Sequence, residues 1–164
     1  MPSGIAAYTL SEDLIGKMKA SACYNITIAI ESGNQYVLTN LMKKPMQLHL
    51  MPDLVKAIRS HGIRVPAFLM LGYPDENKAQ MHDTIEFAKS LDLDLSYFSV
   101  ASPLPNTKMR DTCIKKGYIK EEDFNPLTSF HICIIRTPGF DPDYVCMLFV
   151  KRLLSMSVSV IMSI

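Results

Sequence analysis

The sequence predicts an α/β fold, a parallel sheet with helical crossovers. Three observations predict it. Apolar, strand-like runs begin near residues 25, 63, 95 and 129, and the thirty-odd residues between them carry helical periodicity. Each run leads into a polar segment containing Gly, Pro or a carboxylate, as a buried strand does where it meets a loop. The composition is globular, with 48% apolar and 20% charged residues over 164 positions, enough for one core.

The elements follow in chain order. SEDLIGKMKASA (11–22) is a helix, with Thr9 and Glu12 spaced as a capping box. NITIAIE (25–31) is the first strand. Residues 34–43 and 50–61 are helical; in the second, Leu54, Val55 and Ile58 share a face, and Gly62 closes it. IRVPAFLML (63–71) is the second strand, and Asn77 with Gln80 caps the helix at 81–91. LSYFSVA (95–101) is the third strand, followed by a helix near 107–116. SFHICIIR (129–136) reads as a fourth, and a last helix starts near Asp141. Lys151 and Arg152 interrupt the apolar end from Cys146 to Ile164, and only twelve residues follow them, which describes a docking helix rather than a membrane span.

The formal net charge of +1 offers nucleic acid no basic field. MPSGIAAYTL is not a signal peptide. Cys23, Cys113, Cys133 and Cys146 form no CxxC or CxxxCxxC group, and read as reduced thiols in a cytoplasmic protein. His49, His61, His82 and His131 lack ligand spacing and read as surface or helix-face residues, so no metal site is expected from side chains.

In a parallel sheet all strand ends lie on one rim, where ligands of α/β proteins bind. Here the ends are Glu31-Ser32-Gly33-Asn34, Gly72-Tyr73-Pro74-Asp75-Glu76, Ser102-Pro103-Leu104-Pro105-Asn106-Thr107 and Arg136-Thr137-Pro138-Gly139. On spacing alone they are a site or simply tight turns.

ITIAIESGNQYVLTNLMKKP, GIRVPAFLMLGYPDE and FSVASPLPNTKM together resemble the radical S-adenosylmethionine enzymes, most closely the branch with a cobalamin-binding domain before the radical domain. That pattern has a strand ending in ESG, a lysine ten residues after the glycine, a strand ending in GxPxE and one ending in PLPGT; here these are Glu31 to Gly33, Lys43, Gly72 to Glu76 and Pro103 to Thr107. The resemblance covers residues 4–117. It implies the second half of a (β/α)6 TIM-like partial barrel over 1–128, with an extension of strand and helix over 129–164.

In the family a CxxxCxxC loop holds a 4Fe-4S cluster, which cleaves S-adenosylmethionine to a 5′-deoxyadenosyl radical. The chain has no such motif. The resemblance therefore implies the ribose and adenine side of the site without the cluster ligands, and a chain inactive alone. Glu31 and Ser32 match the residues facing the ribose, and a carboxylate and a hydroxyl suit a diol; equally, Glu31 pairs with Lys43 or a neighbouring cation. Lys43 matches the position serving the cosubstrate carboxylate, or is one of two solvated lysines. Leu71, Gly72, Ala101 and Pro103 match positions framing the adenine, and Glu76 shapes its loop. Where the family has glycine, this chain has Ala22, Asp75 and Asn106; Asp and Asn tolerate a left-handed backbone.

Two alternatives to an enzyme fragment stand beside it: an inactive half barrel, and an interaction module that completes its sheet with another polypeptide or with itself. In either, the barrel-interior side chains, expected to be Ile26, Ile28 or Ile30 with Phe68, Met70 and Phe98, would lack cover.

Overall fold

The computed structural model describes residues 4–123 and 132–155. Three strands, β1 (Ile28–Glu31), β2 (Pro66–Leu71) and β3 (Leu95–Val100), form a sheet in the order β1-β2-β3. Both pairs are parallel, as right-handed crossovers require. Around them run five α-helices, α1 (Glu12–Ala20), α2 (Met51–Ser60), α3 (Lys78–Ser90), α4 (Lys108–Lys115) and α5 (Pro142–Ser155), with short 3-10 and π turns between. Residues before β1 add one more parallel bridge: Ile5 donates to the Thr27 carbonyl at 2.7 Å and accepts from the Ala29 amide at 3.0 Å.

Local chemistry sets the helix ends. Asn77 and Gln80 make the reciprocal capping box of α3. Gly62, at φ +66°, follows α2 and donates to the Arg59 carbonyl at 2.8 Å. The box expected from Thr9 and Glu12 is replaced: Thr9 donates to the Ala6 carbonyl in a 3-10 turn, and Ser11 caps α1 by accepting from Leu14 N at 3.2 Å. The stretch at 34–43 is helical but wound as a π turn over Val37–Leu41.

The sheet has a covered face and an open one. Ile26, Ile28, Ile30, Ala67 and Leu69 are buried against Ile15 of α1, Met51, Val55 and Ile58 of α2, and Ala88 of α3. On the other face Ala29, Phe68 and Tyr97 align across the strands, as do Met70 and Ser99; all five are half-buried. The Phe68 and Tyr97 rings lie 5.3 Å apart. This corrects the expected interior set. The isoleucines lie on the helix side, and Phe98, in register with Leu69, belongs with them. Period-two alternation identifies two faces but does not say which one the helices take.

The fourth strand is also corrected. Of 129–136, residues 129–131 lie outside the described residues, and 132–136 form no ladder. Cys133 and Ile135 point into a second core cluster with Leu71, Met81, Ile85, Cys113, Val145 and Leu148. The Arg136 amide goes to the Tyr118 carbonyl at 2.9 Å rather than to β3. Alternating burial mimicked a strand, but the backbone found its partner in the loop after α4. Among the described residues no helix is long and apolar enough to cross a membrane.

Candidate functional site

The strand order sets the ends of β1, β2 and β3 side by side on one rim. Four of the five non-glycine residues with positive φ sit in its loops: Glu31 (+71°), Lys43 (+55°), Asp75 (+68°) and Asn106 (+63°). Such conformations cost of order 1–3 kcal/mol each and concentrate where a ligand or a tight turn demands them. Ala22, the fifth, adopts φ +62°. Backbone turns thus persist at all three positions where the family pattern has glycine.

At the end of β1, Glu31 is partly exposed and its Oε1 lies 2.6 Å from Lys44 Nζ. The cation beside Glu31 is therefore Lys44, while its neighbour Lys43 is exposed and has no hydrogen-bond or ion-pair partner among the described residues. Ser32 is wholly buried: its hydroxyl shares a 3.1 Å hydrogen bond with Thr84 of α3 and accepts from the Asn34 amide at 3.2 Å. The Gly33 amide donates to the same Thr84 oxygen at 3.0 Å. A Cβ on Gly33 would meet Phe87 Cβ at 2.5 Å and Thr84 Cα at 2.7 Å. Ser32 and Gly33 thus dock the strand end onto α3. Sequence reasoning missed Thr84, although a hydroxyl on the apolar face made by Met81, Ile85 and Ala88 was a signal.

At the end of β2, Gly72 has φ +78°, and its amide donates to Glu76 Oε2 at 2.9 Å; the Tyr73 amide donates to the same oxygen at 3.0 Å. Glu76 is 1% exposed, and its Oε1 has no partner. Burial outweighs the two amides and pushes its carboxyl up to about 7. Burial, with Cys113 nearby, raises the Tyr73 phenol. Asp75 points the other way, pairing with Lys116 and accepting from the Tyr118 hydroxyl at 2.7 Å. Burial alone would raise its carboxyl, but those two hydrogen bonds hold it below the usual range.

At the end of β3, the Ala101 amide donates to the Leu71 carbonyl at 2.9 Å, and Thr107 caps α4 by accepting from Arg110 N at 3.3 Å. Leu71, Gly72, Ala101 and Pro103 are all buried. Cys133, Ile135 and Val145 share a cluster with Leu71 and Ala101, and the Val145 methyls would lie 3.3 Å from a Cβ on Gly72. The structure thus leaves Glu31 and Lys43 accessible on the rim and encloses the other five expected site residues.

These donors do not fit an iron–sulfur cluster. A cluster needs thiolates, and burial pushes the Cys113 and Cys133 thiols up to about 11 and about 12. Among the described residues no three His, Cys, Asp or Glu side chains gather where a metal could be held.

No family model matches the chain. Among curated proteins, it is 32% identical over 144 residues to a cytidylyl-2-hydroxyethylphosphonate methyltransferase of Streptomyces wedmorensis, covering 84% of this chain and 27% of that protein. It is 28% identical over 98 residues to a tRNA-2-methylthio-N(6)-dimethylallyladenosine synthase of Vibrio campbellii, covering 58% of this chain and 20% of that protein. Among solved structures, the radical S-adenosylmethionine methyltransferase TsrM of Kitasatospora setae, with cobalamin and a [4Fe-4S] cluster bound, superposes with a TM-score of 0.61 at 16% identity, over 68% of this chain and 22% of that one. The chain belongs to the radical S-adenosylmethionine superfamily. Its three parallel strands correspond to part of the TIM-like radical S-adenosylmethionine fold. It spans about a quarter of the length of the relative from Streptomyces wedmorensis. A second TsrM structure holds tryptophan substrate and an S-adenosylmethionine analogue.

Proposed function

We propose that this chain supplies the ribose and adenine side of the S-adenosylmethionine site in a radical S-adenosylmethionine enzyme, with residues 129–164 as an extension of that domain. The observation that supports this reading is the adjacency of three strand ends carrying the family's residues in the family's order. In this reading Glu31 accepts hydrogen bonds from the ribose hydroxyls while Lys44 holds its carboxylate in place. Lys43 meets the cosubstrate carboxylate. Leu71, Gly72, Ala101 and Pro103 frame the adenine, which has only the face of the Gly72 backbone away from Val145. Ser32 acts indirectly, by fixing the end of β1 to α3 through Thr84. Bound S-adenosylmethionine and the cluster supply the radical chemistry; this chain's share is to bind and orient the nucleoside. The cluster ligands and any cobalamin site belong to other parts of the enzyme, which works in a reducing cytoplasm that keeps its cysteines as free thiols.

Equilibrium dialysis of labelled S-adenosylhomocysteine against the chain tests the proposal. Saturable binding that Glu31→Ala weakens at least tenfold is expected. No saturable binding at millimolar ligand would overturn it. A second reading, an inactive interaction module that pairs with another polypeptide, draws support from the half-buried face of Phe68, Met70 and Tyr97. That reading predicts no nucleoside binding, and association with a polypeptide carrying the rest of the barrel.

A further inference from the structure

The loops that follow β1 and β2 and the first turns of α4 enclose a cleft of about 420 Å³ on the rim. Leu41, Met42 and Met109 give it an apolar lining, and two lysines, Lys43 and Lys108, line it from separate elements. Asp75 is the sole acid in the lining, and its carboxylate is already taken by Lys116 and the Tyr118 hydroxyl. Neither the Lys43 nor the Lys108 ammonium has a hydrogen-bond or ion-pair partner among the described residues, although the Lys108 carbonyl accepts from the Thr112 hydroxyl at 2.8 Å. The cleft is therefore lined by two lysines whose side chains have no ion-pair partner among the described residues. The first turn of α4, capped by Thr107, adds the positive end of its helix dipole. Solvated lysines need no special backbone, yet Lys43 is held at φ +55° in the turn that brings it here.

We propose that this cleft binds a second ligand beside the nucleoside: a molecule presenting a doubly charged, phosphate-like oxyanion on a small apolar stem. Two ammonium groups match a dianion better than a single carboxylate, and the methionines receive the stem. Lys43 faces both the cosubstrate and this ligand, whereas Lys108 serves the second ligand alone. The inference rests on reading this rim as the ligand-binding edge of the sheet, and it names the class of group that a substrate would place there.

The test is equilibrium dialysis of labelled pyrophosphate against the whole chain, with and without saturating S-adenosylhomocysteine. Saturable binding at one site is expected, weakened at least fivefold by Lys108→Ala and by Lys43→Ala. Lys56→Ala, in the outer groove lined by α2 and the end of α3, should leave it unchanged. Saturating S-adenosylhomocysteine should weaken this binding without abolishing it, because Lys43 then also faces the cosubstrate carboxylate while Lys108 stays with the second ligand. Absence of saturable binding would overturn the proposal. So would equal loss in the Lys56 variant, which would show non-specific attraction. Complete displacement of pyrophosphate by S-adenosylhomocysteine would make the cleft the cosubstrate's own carboxylate subsite and would equally overturn it. Lys108-dependent pyrophosphate binding without any S-adenosylhomocysteine binding would sustain this inference while the nucleoside reading fails.

Discussion

Replacing Glu76 by glutamine should remove a pH-dependent weakness built into the GYPDE loop. Glu76 is 1% exposed, its carboxyl is raised from 4.5 to about 7 by burial, and Oε1 has no partner. A group whose folded pKa lies above its unfolded value binds its proton more tightly when folded. Its stabilising contribution is complete below pH 4.5 and is lost as the pH rises to about 7. A shift of that size corresponds to about 3 kcal/mol at 1.36 kcal/mol per unit. A glutamine in this place cannot ionise, and its amide oxygen can still accept from Gly72 and Tyr73. Its NH2 would take the place of the unpartnered Oε1 and cost roughly 1–3 kcal/mol at every pH. Urea denaturation between pH 4.5 and 8 should show the parent losing about 3 kcal/mol, with the Glu76→Gln variant lacking most of that slope. Glu76→Ala, which strands two amides, should lose roughly 2–4 kcal/mol at pH 5. An unchanged slope in the glutamine variant would show that Glu76 does not set the pH dependence.

Gly33→Ala should destabilise the chain by roughly 1–3 kcal/mol, read as a lowered urea midpoint, because its Cβ would stand 2.5 Å from Phe87 Cβ. Anaerobic reconstitution with iron and sulfide should give no stoichiometric cluster on this chain alone, since its buried thiols resist ionisation; a thiolate–iron absorbance band at one cluster per chain would contradict that. Light scattering at micromolar concentration should show self-association through the open sheet face of Phe68, Met70 and Tyr97; a compact monomer with one cooperative melt would show that the face needs no partner.

What the sequence made legible was local chemistry and order. The Asn77–Gln80 box, Gly62 and the order of three strands follow from residues a few positions apart or from crossover handedness. Contacts between distant residues were hidden. Ser32 and Thr84 are 52 positions apart, so the hydroxyl assigned to ribose could not be seen to be committed to α3. Glu31 was expected to pair with Lys43 or a neighbouring cation, and the two adjacent lysines could not be told apart in the sequence; Lys44 makes the pair, while Lys43 stands at φ +55°. The segment at 129–136 failed as a strand because alternation records burial and does not record the backbone's partner.

In the proposed function, the ends of β1, β2 and β3 form the nucleoside side of an S-adenosylmethionine site. The most direct measurement is an amide chemical-shift map of the isotopically labelled chain titrated with 5′-deoxyadenosine. Saturable shifts clustered at Glu31, Gly72, Tyr73 and Ala101 are expected, with α1 and the outer groove of α2 silent. Shifts confined to the open face of Phe68 and Tyr97, or none at millimolar ligand, would contradict it.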